Sequence, residues 1–221
     1  MTFGEKVIDF YKRLDKPVEL PNNVDVLFPF ESSDVIEIVE KFNQRYFNDT
    51  NPRTFLIGIN PGRLGGGVTG IPFTDPIRLK EILGIENDFD KKQELSSNFI
   101  YQMIDHLGGP KLFYSKFYFT SVSPVGFTQD GTNLNYYDIR ELQESLENYI
   151  VSNLRQQIAF GANPIAYSLG KGKNIAYLKE LNKKYKLFDK IEELPHPRWV
   201  MQYRLKKLPE ILDLFKSKLL S

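Results

Sequence analysis

Two polar side chains stand where a short apolar run ends and the chain turns: Asn60, after residues 54–59, and His196, after residues 191–194. Proline follows each of them, and His196 lies between Pro195 and Pro197, so its place is set by a loop rather than by a helix face. An imidazole can donate, accept or titrate near neutral pH, and a carboxamide offers a donor and an acceptor at fixed geometry. Ser121 and Ser123 fall at the end of a further apolar run, Phe117–Ser121. If these runs are neighbouring strands, the four polar groups converge on one site. The alternative for His196 is a buried, hydrogen-bonded imidazole.

The loop after Asn60 strengthens the first reading. It carries Gly62, Gly65, Gly66, Gly67 and Gly70, and glycine lets backbone N–H groups approach a ligand with no Cβ in the way. An ordinary glycine-rich surface loop would look the same. Neither the phosphate-loop pattern G-x-x-x-x-G-K-[ST] nor a G-x-G-x-x-G opening a helix is present, so the usual nucleotide loops are excluded.

Composition narrows the chemistry further. The 221 residues contain no cysteine, which removes disulfides, thiolate metal sites, iron–sulfur clusters and cysteine nucleophiles. No apolar run approaches the roughly 20 residues of a membrane span, and the N-terminus lacks a signal-peptide core. A cytoplasmic, soluble, monomeric protein is expected. The net charge of +1 hides an asymmetry: residues 1–150 hold 15 Lys+Arg against 22 Asp+Glu, and residues 151–221 hold 14 against 6. A basic face that tracks phosphates would produce this, as would solvated helix surface.

The elements that must position these groups follow from periodicity. Apolar spacing predicts helices over 3–14, 34–47, 77–83, 96–107 and 137–153, with a final helix over 200–220 that Pro209 kinks or divides. Strands are predicted at 54–59, Phe117–Ser121, 158–160 and 191–194, with a helix starting at Asn163-Pro164 and interrupted by Gly170-Lys171-Gly172. His106, in the last turn of its helix, reads as structural. Strands alternating with helices define an α/β protein, three-layer α/β/α around a central, mostly parallel four-stranded sheet. A single domain over 1–221 is expected, with residues 1–50 as a helical extension packed on it. Ligands of such sheets bind beyond the carboxyl ends of the strands, where Asn60 and His196 lie.

The motifs G-I-N-P-G at 58–62, G-G-G-V-T-G-I-P-F at 65–73 and L-P-H-P at 194–197 resemble the two signatures of the uracil-DNA glycosylase superfamily. The nearest likeness is to its single-strand-selective monofunctional branch, whose motifs have the form G-M-N-P-G with T-G-V-P-F, and H-P-S-P. The resemblance covers residue 54 to the last helix and leaves the first 50 residues uncovered.

This resemblance implies a DNA glycosylase of base excision repair that flips uracil or a related damaged pyrimidine out of DNA and hydrolyses its N-glycosidic bond. By the same likeness Asn60 orients the attacking water and His196 donates to the base as negative charge builds on it, with no metal or other cofactor. Phe73 stacks on the base, backbone N–H groups near Gly62 and Gly65 read its edge while these small residues leave room for a substituent at C5, and Gly58 joins them as a base-binding residue. Arg63, Lys171 and Lys173 are candidate phosphate contacts.

Two departures stand out. Ser121 occupies the position of an edge-reading asparagine, so one hydroxyl replaces a bidentate amide, with Ser123 as a possible helper. The second motif continues H-P-R-W, which makes Arg198 and Trp199 the candidates for the residues that enter the base stack and points to DNA, single-stranded by preference, as partner. The alternatives are a nucleic-acid-binding protein of this fold that has lost its chemistry, and a glycosylase for deaminated purines.

Overall fold

The computed structural model describes residues 1–220. In chain order its elements are α1 (Phe3–Lys12), β1 (Asp25–Leu27), α2 (Ser33–Tyr46), β2 (Thr54–Gly58), α3 (Gly66–Thr69), α4 (Pro76–Glu81), α5 (Leu95–His106) and α6 (Pro110–Tyr114). Then come β3 (Phe117–Ser121), β4 (Gly126–Gln129), β5 (Thr132–Leu134), α7 (Arg140–Ile158), β6 (Ile165–Leu169), α8 (Lys173–Tyr185), β7 (Lys190–Leu194), α9 (Pro197–Tyr203) and α10 (Leu208–Leu219).

The main sheet has the order β3-β2-β6-β7, parallel throughout. From β2 the chain moves to one side to make β3, then crosses to the other side for β6 and β7. The order therefore reverses at β2, and a crevice opens at the carboxyl end of that strand. Strands buried on both faces need apolar residues at successive positions, which Phe55, Leu56 and Ile57 supply at 0% exposure. On one face Tyr118 meets Phe3 of α1 and hydrogen-bonds Gln157 of α7; on the other Phe119 packs on Phe113 of α6.

The N-terminal helices belong to the same core. α1 opens with a capping box, in which Thr2 and Glu5 each satisfy the other's backbone N–H. Its Phe3 and the Phe47 that ends α2 both lie against the buried Arg53 guanidinium, which bonds to Asp49 and to the Tyr114 carbonyl. His106 Nε2–H donates to Asp213 Oδ1 at 2.9 Å, tying α5 to α10.

Three sequence expectations are corrected here. Residues 158–160 are the end of α7 and the turn after it, not a strand, because the stripe Leu142, Leu146, Ile150 and Leu154 carries the helix on to Ile158. The third strand of the sheet is β6, within the stretch expected to be helical; Gly170 and Gly172, at φ of 132° and 103°, separate it from α8. The third correction is a second sheet, β1-β4-β5, antiparallel, which periodicity did not predict. Its strands have three or four residues each, too few for an alternation to register. The final helical stretch is divided, one of the two outcomes expected at Pro209: α9 ends at Tyr203, and Pro209 sits in the first turn of α10.

Candidate active site

At the carboxyl end of the main sheet lies a cavity of about 100 Å³, lined among others by Asn60, Phe73, Ser121, His196 and Arg198. Sheet register brings Asn60 and Ser121 together, since Gly58 of β2 lies opposite Ser121 of β3, and Phe73 enters from the loop between α3 and α4. His196 reaches the same mouth from β7.

Asn60 is clamped by backbone. Its Oδ1 accepts from the Tyr136 N–H at 3.0 Å and its Nδ2 donates to the Leu134 carbonyl at 3.2 Å. These bonds fix which end of the amide faces which way and leave a second lone pair on Oδ1. The clamp is in turn anchored: the Tyr136 hydroxyl donates to Asn174 Oδ1 at 2.9 Å, and Asn174 donates to the Gly58 carbonyl and to Ser168. An amide on a turn thereby becomes a rigid polar group.

His196 is the N-cap of α9, and its Nδ1 accepts from the Arg198 N–H at 3.2 Å. A neutral imidazole bonded in this way carries its proton on Nε2, as a donor. Burial, with a smaller contribution from the Arg198 charge, brings its pKa down to about 4. The ring is therefore neutral at physiological pH.

Phe73 occupies the left-handed region, at φ 56°, a conformation that phenylalanine rarely adopts. Its ring packs on Phe119 at 5.3 Å between centroids, and a Cβ placed on Gly58 would sit 2.6 Å from its Cζ. Gly58 thus makes room for the ring. Gly62 borders the cavity, and the Gly62 carbonyl accepts from the N–H groups of Gly65 and Gly67, which closes the glycine loop on itself.

The remaining sequence candidates divide. Ser121 keeps its hydroxyl at the cavity, whereas Ser123 is fully buried and donates to the Val125 carbonyl at 2.8 Å, away from the lining. Arg63 is exposed on the rim, its backbone N–H held by Asn133 Oδ1. Trp199 and Lys171 border a second, larger cavity of about 530 Å³ together with Arg204 and Lys207, and His196 forms a wall of both cavities. The Arg204 guanidinium lies 4.7 Å from the Trp199 ring. Lys173 faces elsewhere, over the Tyr137 ring at 5.7 Å.

Sequence reasoning missed Glu94. This residue precedes α5, lines the cavity and lies against the glycine loop: a Cβ on Gly65 would run into its carboxyl, and one on Gly62 would come within 3.2 Å of Oε1. Burial, then the nearby Asp75 charge, raises its pKa to about 7, against the opposing pull of Arg198. No motif carries Glu94; it sits in a charged stretch that reads as solvated surface. Asn133 and Asn135 also line the cavity, and only the Asp130-Gly131 turn before them hinted at a return toward the site.

The fold and this cavity define an α/β protein whose ligand crevice lies at the switch point of a parallel sheet, with a clamped amide, a neutral imidazole and a phenyl ring around it. The Uracil DNA glycosylase superfamily matches residues 44–220, and the chain belongs to that superfamily: it is a glycosylase that acts on DNA. A crystal structure of wild-type SMUG2 from Pedobacter heparinus is similar to it at 40% sequence identity with a TM-score of 0.95, over 99% of this chain and 97% of that one. The likeness thus takes in the N-terminal helices that the motifs left uncovered. No curated protein matches the chain.

Proposed function

We propose that this enzyme removes uracil, or a pyrimidine related to it, from DNA by hydrolysing the N-glycosidic bond with a water held at Asn60, and that it prefers a single strand. The observation that carries the reading is the clamped Asn60 amide facing a neutral His196 across one cavity with Phe73. Cleavage turns the base into an anion and the sugar into an oxocarbenium-like cation. The free lone pair of Asn60 Oδ1 orients a water toward the sugar carbon. His196 Nε2–H donates to the base oxygen as charge builds, without titrating itself. Phe73 stacks on the flipped base, and Gly58 and Gly62 leave it space. Among the described residues no lysine lines the cavity, and in this reading the base departs by hydrolysis rather than through an amine adduct and the strand stays intact.

Single-strand preference is supported by the second motif. α9 starts at Pro197, directly after His196, which leaves Arg198 and Trp199 on a helix rather than on a protruding loop. Arg198 borders the base cavity, and the half-exposed Trp199 offers a stacking surface beside it. A strand already unpaired needs no wedge to open it. The chain acts as a monomer in this reading.

The test is excision from labelled single strands carrying one uracil, 5-hydroxymethyluracil, hypoxanthine or xanthine, developed with alkali, with duplex controls. Release of uracil, faster from the single strand, is the expected result. No release from any of the four would leave a binding protein of this fold as the better account, and release of the purines alone would favour a deaminated-purine enzyme.

A further inference from the structure

Ser121 offers the base a single hydroxyl, which cannot complement an N–H and a C=O lying side by side. The cavity holds a second polar group able to do so. Among the described residues, neither the Ser121 hydroxyl nor the Glu94 carboxyl has a hydrogen-bond partner within the protein, and both face the cavity. The Glu94 backbone is fixed: its N–H donates to Asp75 Oδ2 at 2.9 Å. Asp75 is fully buried, and its carboxylate also accepts from the Arg78 backbone N–H at 2.9 Å and from the Arg78 guanidinium at 3.2 Å. The glycines at 62 and 65 make the room in which the Glu94 carboxyl lies.

We propose that Glu94 contacts the flipped base as a neutral carboxylic acid, donating through its O–H to a base carbonyl and accepting from the adjacent N–H, and so takes the edge-reading role that Ser121 cannot fill. This rests on the glycosylase reading above. The ligand class is a nucleobase with a lactam edge, of which uracil is one. A neutral carboxyl carries one donor and one acceptor side by side; a carboxylate accepts only, and would set a negative charge against a base that must leave as an anion. The groups that face Glu94 are Asp75, which opposes its ionisation, and Arg198, which favours it; desolvation is the largest influence and acts in the same direction as Asp75. With a pKa near 7 its protonation changes in a range where His196, near 4, is neutral throughout.

The experiment is the pH dependence of single-turnover uracil excision, pH 5.5 to 9, for wild type, Glu94→Gln and Glu94→Ala, with folding checked by thermal melts. Wild-type rates should fall roughly tenfold per pH unit above about 7. Glu94→Gln, a permanent amide of the same shape, should stay within a few-fold of wild type at pH 6 and lose the descending limb, so that it overtakes wild type at pH 9. Glu94→Ala should be slower at every pH, again without the limb. A limb retained in either variant, or a flat wild-type profile, would overturn the assignment while leaving the glycosylase reading intact. A wild type inactive at every pH would overturn both.

Discussion

At the scale of single residues, the site depends on where hydrogen bonds are already spent. Asn60 has its amide oriented by Tyr136 and Leu134, and His196 has Nδ1 engaged by the Arg198 N–H, so the atoms left over are the ones that face the cavity. Gly58 contributes by lacking a side chain. Its φ is ordinary, and the demand is space: a methyl group there would press on the Phe73 ring at 2.6 Å and on Ser121 Oγ at 3.3 Å. Gly58→Ala should therefore tilt the Phe73 ring and, on the proposed stacking role of that ring, raise KM for uracil-containing DNA about tenfold or more, while the melting temperature falls by a few degrees, as expected for ~1–3 kcal/mol of overpacking. Steady-state kinetics beside a thermal melt checks this; an unchanged KM would remove Phe73 from the base contact.

At the scale of elements, the hairpin of β4 and β5 holds the Asn60 amide, because Leu134 ends β5 and Tyr136 follows it. Its turn has Asp130 at φ 50° and Gly131 at φ 70°, the two left-handed residues that a type I′ turn needs. A Cβ on Gly131 would touch nothing within 4 Å, so the cost of Gly131→Ala is backbone strain alone, about 1 kcal/mol. We expect a lower melting temperature together with a several-fold loss of kcat, since a hairpin that frays releases Asn60; a stability loss with kcat intact would show that the clamp tolerates the strain.

The hairpin also marks the limit of sequence legibility. Asp130-Gly131 signalled a turn, yet strands as short as Thr132–Leu134 carry too few residues to show an alternation, and the pairing of β4 with β1 joins segments about a hundred residues apart. Residues 54–58 and Phe117–Ser121 were readable because both of their faces are buried and the apolar run is unbroken. β6 was not, because Ile165 to Leu169 follows Asn163-Pro164, a pair that equally opens a helix. Asn60 and His196 were legible from proline punctuation after strands. Glu94, Tyr136 and Asn174 were not: each matters through an approach between distant segments, and nothing in its own neighbourhood sets it apart.

At the scale of the molecule, three of the cations after residue 150 share one place. Lys171, Arg204 and Lys207 surround the second cavity, with Trp199 among them and His196 as the wall shared with the base cavity. Lys171 is partly engaged by Glu193 at 3.5 Å. A single strand whose damaged base enters the first cavity would lay its neighbouring nucleotide along the second. Each phosphate contact on a single strand contributes about 0.7 to the slope of log K against log salt, and base–aromatic stacking contributes about 1–3 kcal/mol. Lys207→Ala and Arg204→Ala should each reduce that slope by roughly this amount, and Trp199→Ala should weaken binding with the slope unchanged. Anisotropy titrations of a labelled single strand across salt concentrations measure both; slopes that do not move would put the phosphates elsewhere.

The central claim is that Asn60 and His196 carry the chemistry and the rest of the cavity holds the base. Single-turnover excision of uracil from a labelled single strand by wild type, Asn60→Ala and His196→Ala, read beside the affinity of each for a uracil-free strand, tests it most directly. We predict excision slower by about 10²-fold or more in each variant, the size expected for losing a placed donor or an oriented water, with strand affinity within a few-fold of wild type. Variants that excise at the wild-type rate, or that lose excision only as far as they lose binding, would contradict it.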